Sequence, residues 1–218
     1  MEFLSTIRRV ALASLFFVST ANLEASVITT TFASNNNNEG NMFNLTNISA
    51  VSVTLTGAFE GNFFTGQSGT AQIWYRAGSY VGYELDRSGW TLLGTGAYTS
   101  AGHDVPTAYD VGASLLLNPG DILGILFITS ASNQIVNYTN GSGNFSDAFL
   151  QISAGIGLDF DDAGLLAGQP PINTGSFNAN RIWNGSIEYT AVPEPSTLGL
   201  SGIALACTLA YRRRRSHM

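Results

Sequence analysis

Apolar and polar residues alternate along much of the chain between residues 27 and 190. In residues 51–56, valine and leucine occupy every second position and hydroxyl residues lie between them. This period of two places side chains on opposite faces of an extended chain, so it predicts a β-strand with one buried face. The same pattern predicts eleven strands, over residues 27–32, 42–45, 50–59, 70–76, 90–98, 109–111, 114–117, 122–129, 135–138, 149–154 and 181–190.

One of these strands is apolar on both faces. Residues 122–128 read Ile-Leu-Gly-Ile-Leu-Phe-Ile, which predicts a central strand that is covered on each side. Asn118-Pro119-Gly120-Asp121 precedes it and suits a turn with proline and glycine at the middle positions. We therefore expect a β-hairpin from Ser114 to Thr129.

The order of predicted elements indicates the fold class. Many short strands are separated by turn residues, and no segment of helical period and length interrupts them. This pattern is typical of an all-β fold, either an antiparallel β-sandwich or a jelly-roll-like domain. Residues 26–191, called the central region below, have the length of one domain, and we expect a signal helix before them and a short apolar helix after them.

The N-terminal residues 1–25 have the features of a signal peptide. Arg8 and Arg9 precede the apolar run at residues 10–18, and small residues follow it. Cleavage after Ala21 satisfies the small-x-small preference, and cleavage after Ala25 is the alternative. Either site predicts that the central region is exported.

The charge of the central region excludes some partners. It carries three arginines and twelve carboxylates, a net charge of −9, and the chain contains no lysine. So negative a region repels phosphate backbones and anionic headgroups, which argues against both nucleic acid and a membrane surface as partners. The only cysteine, Cys207, lies near the C-terminus, so the central region must fold without disulfides.

The C-terminal residues 192–218 combine three features. Val192-Pro193-Glu194-Pro195 should stay extended because of its prolines, and an uncharged apolar run from Leu198 to Tyr211 follows it. A helix over that run is ~21 Å long, short of the ~30 Å hydrocarbon core, which indicates a transient anchor. The arginines Arg212, Arg213, Arg214 and Arg215 should stop it on the cytoplasmic side.

The Val192-Pro193-Glu194-Pro195 motif is followed by the apolar helix and then by the arginine cluster. Together, in this order, they resemble the PEP-CTERM sorting segment. The resemblance implies recognition by an exosortase-type processing enzyme, cleavage near Pro195, transient inner-membrane anchoring, and delivery to the cell surface or the extracellular matrix of a biofilm. The same segment is also labelled as the C-terminal domain of ice-binding proteins. The threonines at residues 29–31, 54 and 56 lack the regular spacing that an ice-binding array needs.

Catalytic residues are not evident in the sequence. His103 is the only histidine of the central region and adjoins Asp104, but no G-x-S-x-G motif supplies a nucleophile. We interpret His103 as a loop residue, predict no catalytic residue and expect the chain not to be an enzyme. A secreted hydrolase is the third hypothesis, because a pair of carboxylates for glycoside hydrolysis is visible only in three dimensions.

Metal binding has one candidate group. Asp159, Asp161 and Asp162 lie close together, as calcium ligands do, but Ala163 stands where an EF-hand loop requires Asp or Asn. A solvated turn is the expected structure. We therefore predict no cofactor, with calcium as the alternative.

Carbohydrate binding is the second hypothesis and rests on aromatic residues. Strand alternation that buries Ile73 would leave Trp74 exposed and able to stack on a sugar. The candidate sugar-binding residues are Trp74, Arg76, Tyr83 and Trp90, and the ligand would be exopolysaccharide. Residues 75–90 and 183–189 also resemble a recurring uncharacterised module of secreted bacterial proteins, which implies no activity. The leading hypothesis is an exported, non-enzymatic surface or matrix protein.

Overall fold

The structure, a computed structural model, describes residues 25–129, 135–159, 170 and 177–191. These residues form fifteen β-strands and no helix. The strands are β1 (Ala25–Thr29), β2 (Asn36–Asn38), β3 (Gly40–Asn47), β4 (Val53–Gly61), β5 (Ser68–Ala77), β6 (Thr91–Thr99), β7 (Thr107–Asp110), β8 (Leu115–Leu117), β9 (Ile122–Thr129), β10 (Val136–Asn140), β11 (Asn144–Ser146), β12 (Leu150–Ser153), β13 (Gly155–Leu158), β14 (Phe177–Trp183) and β15 (Gly185–Ala191). The predicted all-β class is confirmed, whereas both predicted terminal helices lie outside the described residues.

The strands form two antiparallel sheets. The smaller sheet has the order β1-β15-β4-β7, and β8 pairs with a further stretch of β4. The larger sheet has the order β2-β10-β14-β13-β3-β9-β5-β6, and beside this path β12 pairs with β3 and β11 with β12. Consecutive strands such as β3 and β4 lie in different sheets, so the chain crosses repeatedly between the two layers.

A hydrophobic core lies between the sheets. Leu55 and Ile187 of the smaller sheet and Phe43 and Phe127 of the larger sheet are almost inaccessible to solvent. The rings of Phe43 and Trp183 stack with their centroids 4.8 Å apart. Burial of these apolar side chains is the main force that holds the two layers together.

A second hydrophobic cluster lies on the opposite face of the larger sheet. Its members are Met42, Trp74, Tyr80, Trp90, Leu126, Ile128, Ile156 and Leu158. Tyr80 and Trp90 belong to the connection between β5 and β6, residues 78–90, which contributes to the cover of this face. Strand β9 sends Phe127 into the first core and Leu126 into the second. The predicted central strand with two covered faces is therefore confirmed.

The predicted hairpin from Ser114 to Thr129 is wrong. The turn itself is present, because the Asp121 amide donates to the Asn118 carbonyl at 3.0 Å and Gly120 has a φ of 79°. However, β8 pairs with β4 in the smaller sheet, while β9 pairs with β3 and β5 in the larger one. Turn residues reverse the chain without specifying the partners of the strands they join.

The first and last described strands are neighbours in the smaller sheet. Ala25 lies opposite Thr190, and Ala191 lies opposite Val53. The chain therefore enters β1 and leaves β15 at one end of the sheets, which we call the exit end. The connections 48–52 and 118–121 also lie there, because they adjoin Val53 and Leu117, which pair with each other, and Val53 lies opposite Ala191. The Asn47 amide donates to the Asp121 carbonyl at 3.0 Å.

The opposite end, which we call the far end, includes three longer connections among the described residues. Gly61, at the end of β4, lies opposite Thr107 at the start of β7 and opposite Gly185 at the start of β15. These connections are residues 30–35, 62–67 and 100–106. Strand β4 joins the two ends, and its nine residues place them ~30 Å apart.

Candidate functional site

Three side chains that a serine hydrolase would use meet at the far end. Ser34 Oγ lies 3.2 Å from His103 Nε2 and donates to Asp104 Oδ1 at 2.5 Å. His103 Nδ1 lies 3.3 Å from Asp104 Oδ2. The hydroxyl, imidazole and carboxylate are thus within hydrogen-bonding distance of one another. Sequence reasoning missed Ser34, because it lies 69 positions before His103 and in no recognisable motif.

Asn62, which directly follows β4, fixes the position of Asp104. The fully buried Asn62 side chain donates to Asp104 Oδ1 at 2.9 Å and accepts from the Asp104 amide at 3.0 Å. Asn62 Oδ1 also accepts from Asn137 Nδ2 at 2.9 Å. Asp104 has a φ of 61°, a left-handed conformation that few residues other than glycine adopt. The pair of hydrogen bonds to Asn62 holds it there.

The surroundings of Asp104 favour its charged form. Desolvation pushes the pKa of this carboxyl up, but hydrogen bonds from Ser34 and Asn62 and the nearby His103 imidazole outweigh that effect. The pKa of Asp104 therefore lies below its ordinary value. A charged Asp104 is the acceptor that the Ser34 hydroxyl needs.

The position of the Ser34 hydrogen decides what this cluster can do. A serine acts as a nucleophile when its hydrogen passes to an imidazole, whereas the 2.5 Å contact directs the Ser34 hydrogen to Asp104. The side chains of His103 and Asp104 are 50% and 38% exposed, so water competes for both. The geometry favours a structural role, in which these hydrogen bonds hold residues 30–35 against residues 100–106.

The structure buries the tryptophans predicted to bind sugar. Trp74 is 4% exposed and Trp90 is 8% exposed, so the prediction that Trp74 faces solvent is wrong. The physical reason is that both faces of the larger sheet are covered at the middle of β5, where Ile73 packs in the first core and Trp74 in the second cluster. Trp74 Nε1 donates to Gln72 Oε1 at 2.9 Å, and Trp90 Nε1 donates to the Asp86 carbonyl at 3.1 Å.

The other two candidate sugar-binding residues lie beside these tryptophans. The Arg76 guanidinium carbon lies 3.3 Å from the ring centroid of Tyr83, a cation–π contact. Arg76 Nη1 also donates to the Ser79 carbonyl. The structure thus places all four candidates together, either within residues 78–90 or directly beneath them. They form a packed layer with no open aromatic face on which a sugar could stack.

The candidate calcium ligands fall at the edge of the described residues. Asp159 is exposed and directly follows β13, whereas Asp161 and Asp162 lie outside the described residues. Within the described ranges, no group of three or more His, Cys, Asp or Glu side chains is placed to hold a metal ion.

A shallow groove of about 380 Å³ lies on the outer face of the smaller sheet. Three carboxylates line it, from Glu60 on β4, Asp110 on β7 and Glu188 on β15. Glu188 Oε1 accepts a hydrogen bond from Thr56 Oγ1 at 3.1 Å. Strand alternation alone predicts that Glu60 and Glu188 face outward, but their proximity depends on the pairing of β4 with β15, which the sequence does not show.

The comparisons with known proteins bear on the C-terminal end of the chain. Residues 191–215 match the PEP-CTERM protein-sorting motif. This confirms the resemblance stated above for Val192-Pro193-Glu194-Pro195, the apolar run and the arginines. The match begins at Ala191, the last residue of β15.

The central region lies almost wholly outside that match. A comparison with the curated proteins gave no match. Among solved structures, the chain is similar to a chain of the structure of infectious bursal disease virus, Gx strain, with 12% identity and a TM-score of 0.24. That match covers 80% of this chain and 42% of the viral one, so the chain spans less than half of the viral chain's length.

The PEP-CTERM motif indicates an exported protein whose processing partner is an exosortase. Val192, Pro193, Glu194, Pro195 and the four arginines from Arg212 to Arg215 all lie outside the described residues. Residues 25–129, 135–159 and 177–191 include no helix long and apolar enough to cross a membrane.

Proposed function

We propose that the chain is a non-enzymatic protein of the cell surface or extracellular matrix, released from a transient inner-membrane anchor by exosortase-type cleavage. One observation carries this proposal: the PEP-CTERM match begins at Ala191, where β15 ends. Cleavage near Pro195 would therefore remove the tail and cut none of the fifteen strands. The two-sheet region would leave the membrane folded and contribute structure or adhesion outside the cell.

The test of this function is the location of the processed protein. Cells that produce the chain should place the processed form in the surface and matrix fractions, and Glu194→Ala should retain the unprocessed form in the inner membrane. Glu188→Ala, which removes an acidic side chain within β15, is the matched control and should be processed normally. Processed protein confined to the periplasm would contradict a surface or matrix role.

Carbohydrate binding is retained as a refinement of this role. Exopolysaccharide would reach Trp74 and Trp90 only if residues 78–90 moved off the larger sheet. The processed protein should be passed over the producer's own polysaccharide. Carbohydrate binding would be favoured if Trp90→Ala lost retention and kept the β-rich circular dichroism spectrum. Equal elution of the unsubstituted protein and Trp90→Ala would oppose it.

A secreted hydrolase is the third candidate function, and the 3.2 Å contact between Ser34 and His103 is what favours it. A fluorophosphonate probe reacts with a serine whose hydrogen an imidazole removes. Labelling that disappears in Ser34→Ala and persists in Ser88→Ala would establish a nucleophile. We expect no labelling, because the Ser34 hydroxyl donates to Asp104.

A further inference from the structure

We propose that the exit end of the central region rests on the surface of the lipid bilayer before processing. This inference depends on the proposed function, because it requires the C-terminal tail to anchor the chain. It adds an orientation: the exit end faces the membrane, and the far end, with His103 and Asp104, faces away.

The pairing of β1 with β15 brings both chain ends to one place. Ala25 and Thr190 are directly opposite, so the residue that closes the predicted signal peptide is a neighbour of the strand that leads into the sorting motif. Leu116 belongs to the same row, since it pairs with Thr54 and Thr54 pairs with Thr190. Both membrane-directed segments therefore leave from the exit end.

The tail is too short to hold the exit end far from the bilayer. Six residues, 192–197, separate the end of β15 from the first residue of the apolar run at Leu198. Fully extended, they reach ~20 Å. The two ends of β4 are ~30 Å apart, which is more than these six residues can span. The far end therefore cannot face the bilayer in place of the exit end unless β15 separates from the sheet.

The exit end exposes aliphatic side chains in the loops and rows nearest to the tail. Ile48, Leu116 and Ile122 are between 43% and 54% exposed. Ile48 follows β3, and Ile122 begins β9 opposite Thr46, so these two flank the Asn47–Asp121 contact. Isolated exposed aliphatics are common, but these lie where the tail fixes the bilayer.

Two carboxylates of the exit end are engaged within the protein. Asp121 Oδ2 accepts from the Asn118 amide at 2.7 Å, and Asp147 Oδ2 accepts from the Tyr189 hydroxyl at 2.7 Å. Their charges still oppose anionic headgroups, so the contact suits a zwitterionic surface. The affinity need not be high, because a short tether gives an effective concentration on the order of millimolar.

The experiment uses the unprocessed chain in vesicles of phosphatidylcholine with brominated acyl chains, which quench a nearby fluorophore. The native Cys207 carries the label in one sample and reports insertion of the tail. In two Cys207→Ser variants the label is attached at Ile48→Cys or at Phe64→Cys. Phe64 is the matched control, because it is 44% exposed and belongs to the far end.

We expect strong quenching at position 207, clear quenching at position 48 and none at position 64. Anionic phosphatidylglycerol in the vesicles should weaken the quenching at position 48. Equal quenching at positions 48 and 64, together with quenching at position 207, would overturn the orientation but would leave the transient anchor intact. A lack of quenching at 207 would overturn the transient anchor in the proposed function and the orientation with it.

Discussion

The Ser34 hydroxyl donates a 2.5 Å hydrogen bond to the Asp104 carboxylate and so joins two connections that are 70 residues apart in the chain. The Ser34 amide donates to the same oxygen at 3.0 Å. Asn62 adds a third donor at 2.9 Å. A single carboxylate oxygen therefore holds much of the far end together, and its charge should matter to stability.

Acid should weaken this arrangement. The pKa of Asp104 is lowered in the folded chain, so its contribution is complete above the ordinary carboxyl pKa of 3.8 and is lost as the pH falls through the lowered value. The free energy of unfolding of Asp104→Asn should therefore fall less between pH 7 and pH 3 than that of the unsubstituted chain. Urea denaturation at both pH values measures this, with Asp159→Asn as the exposed control; equal losses in all three would contradict the role of Asp104.

Asn62 should be more important to stability than its polar side chain suggests. Removing the side chain leaves the buried Asn137 side-chain amide and the part-buried Asp104 backbone amide without their acceptor. We expect Asn62→Ala to lower the free energy of unfolding by about 2 kcal/mol or more, since each buried unpaired group costs roughly 1–3 kcal/mol. Asn36→Ala, at an exposed asparagine, should change it by less than about 0.5 kcal/mol in the same denaturation experiment.

Two buried tyrosines should respond in opposite ways to loss of the hydroxyl. Burial raises the pKa of Tyr98 to about 12, and its hydroxyl has no hydrogen-bond partner among the described residues. The Tyr189 hydroxyl donates to Asp147 at 2.7 Å. Tyr98→Phe should therefore leave the melting temperature unchanged or raise it, whereas Tyr189→Phe should lower it, because its loss removes a charge-assisted hydrogen bond. Equal shifts in thermal denaturation would contradict this difference.

Trp74 should behave as a core residue. Because it is almost fully buried in the second cluster, Trp74→Ala should lower the free energy of unfolding by roughly 3–5 kcal/mol. Leu92, which pairs with Trp74 and is 41% exposed, provides the control, and Leu92→Ala should have a small effect. A stable Trp74→Ala variant that loses retention on polysaccharide would instead restore the sugar-binding interpretation.

The sequence predicted most strands, because a period of two survives in many of them and β9 is an apolar run of strand length. It missed the short polar strands β2 and β11, and it missed β13, whose residues Gly-Ile-Gly-Leu offer no polar alternation, although Ile156 and Leu158 are buried. It also predicted one strand over residues 181–190. The structure has two strands there, separated at Asn184, whose buried amide donates to the Thr31 carbonyl at 2.7 Å.

Strand partners and the second core could not be predicted in the same way. Alternation shows which face of a strand is apolar, but it does not show that β8 joins the smaller sheet while β9 joins the larger one. The burial of Trp74 depends on residues 78–90, a polar and glycine-containing stretch with no regular period. The Ser34–Asp104 contact likewise arises only when the fold brings distant loops together.

Removal of the C-terminal tail after export is the most direct consequence of the proposed sorting. Mass spectrometry of the secreted protein measures its C-terminus directly. We predict a C-terminus near Pro195, with Arg212 to Arg215 absent, and accumulation of the full-length chain in the inner membrane when Glu194 is replaced by alanine. Secreted protein that retains Arg212 to Arg215 would contradict this claim and would leave the C-terminal segment as an ordinary apolar tail.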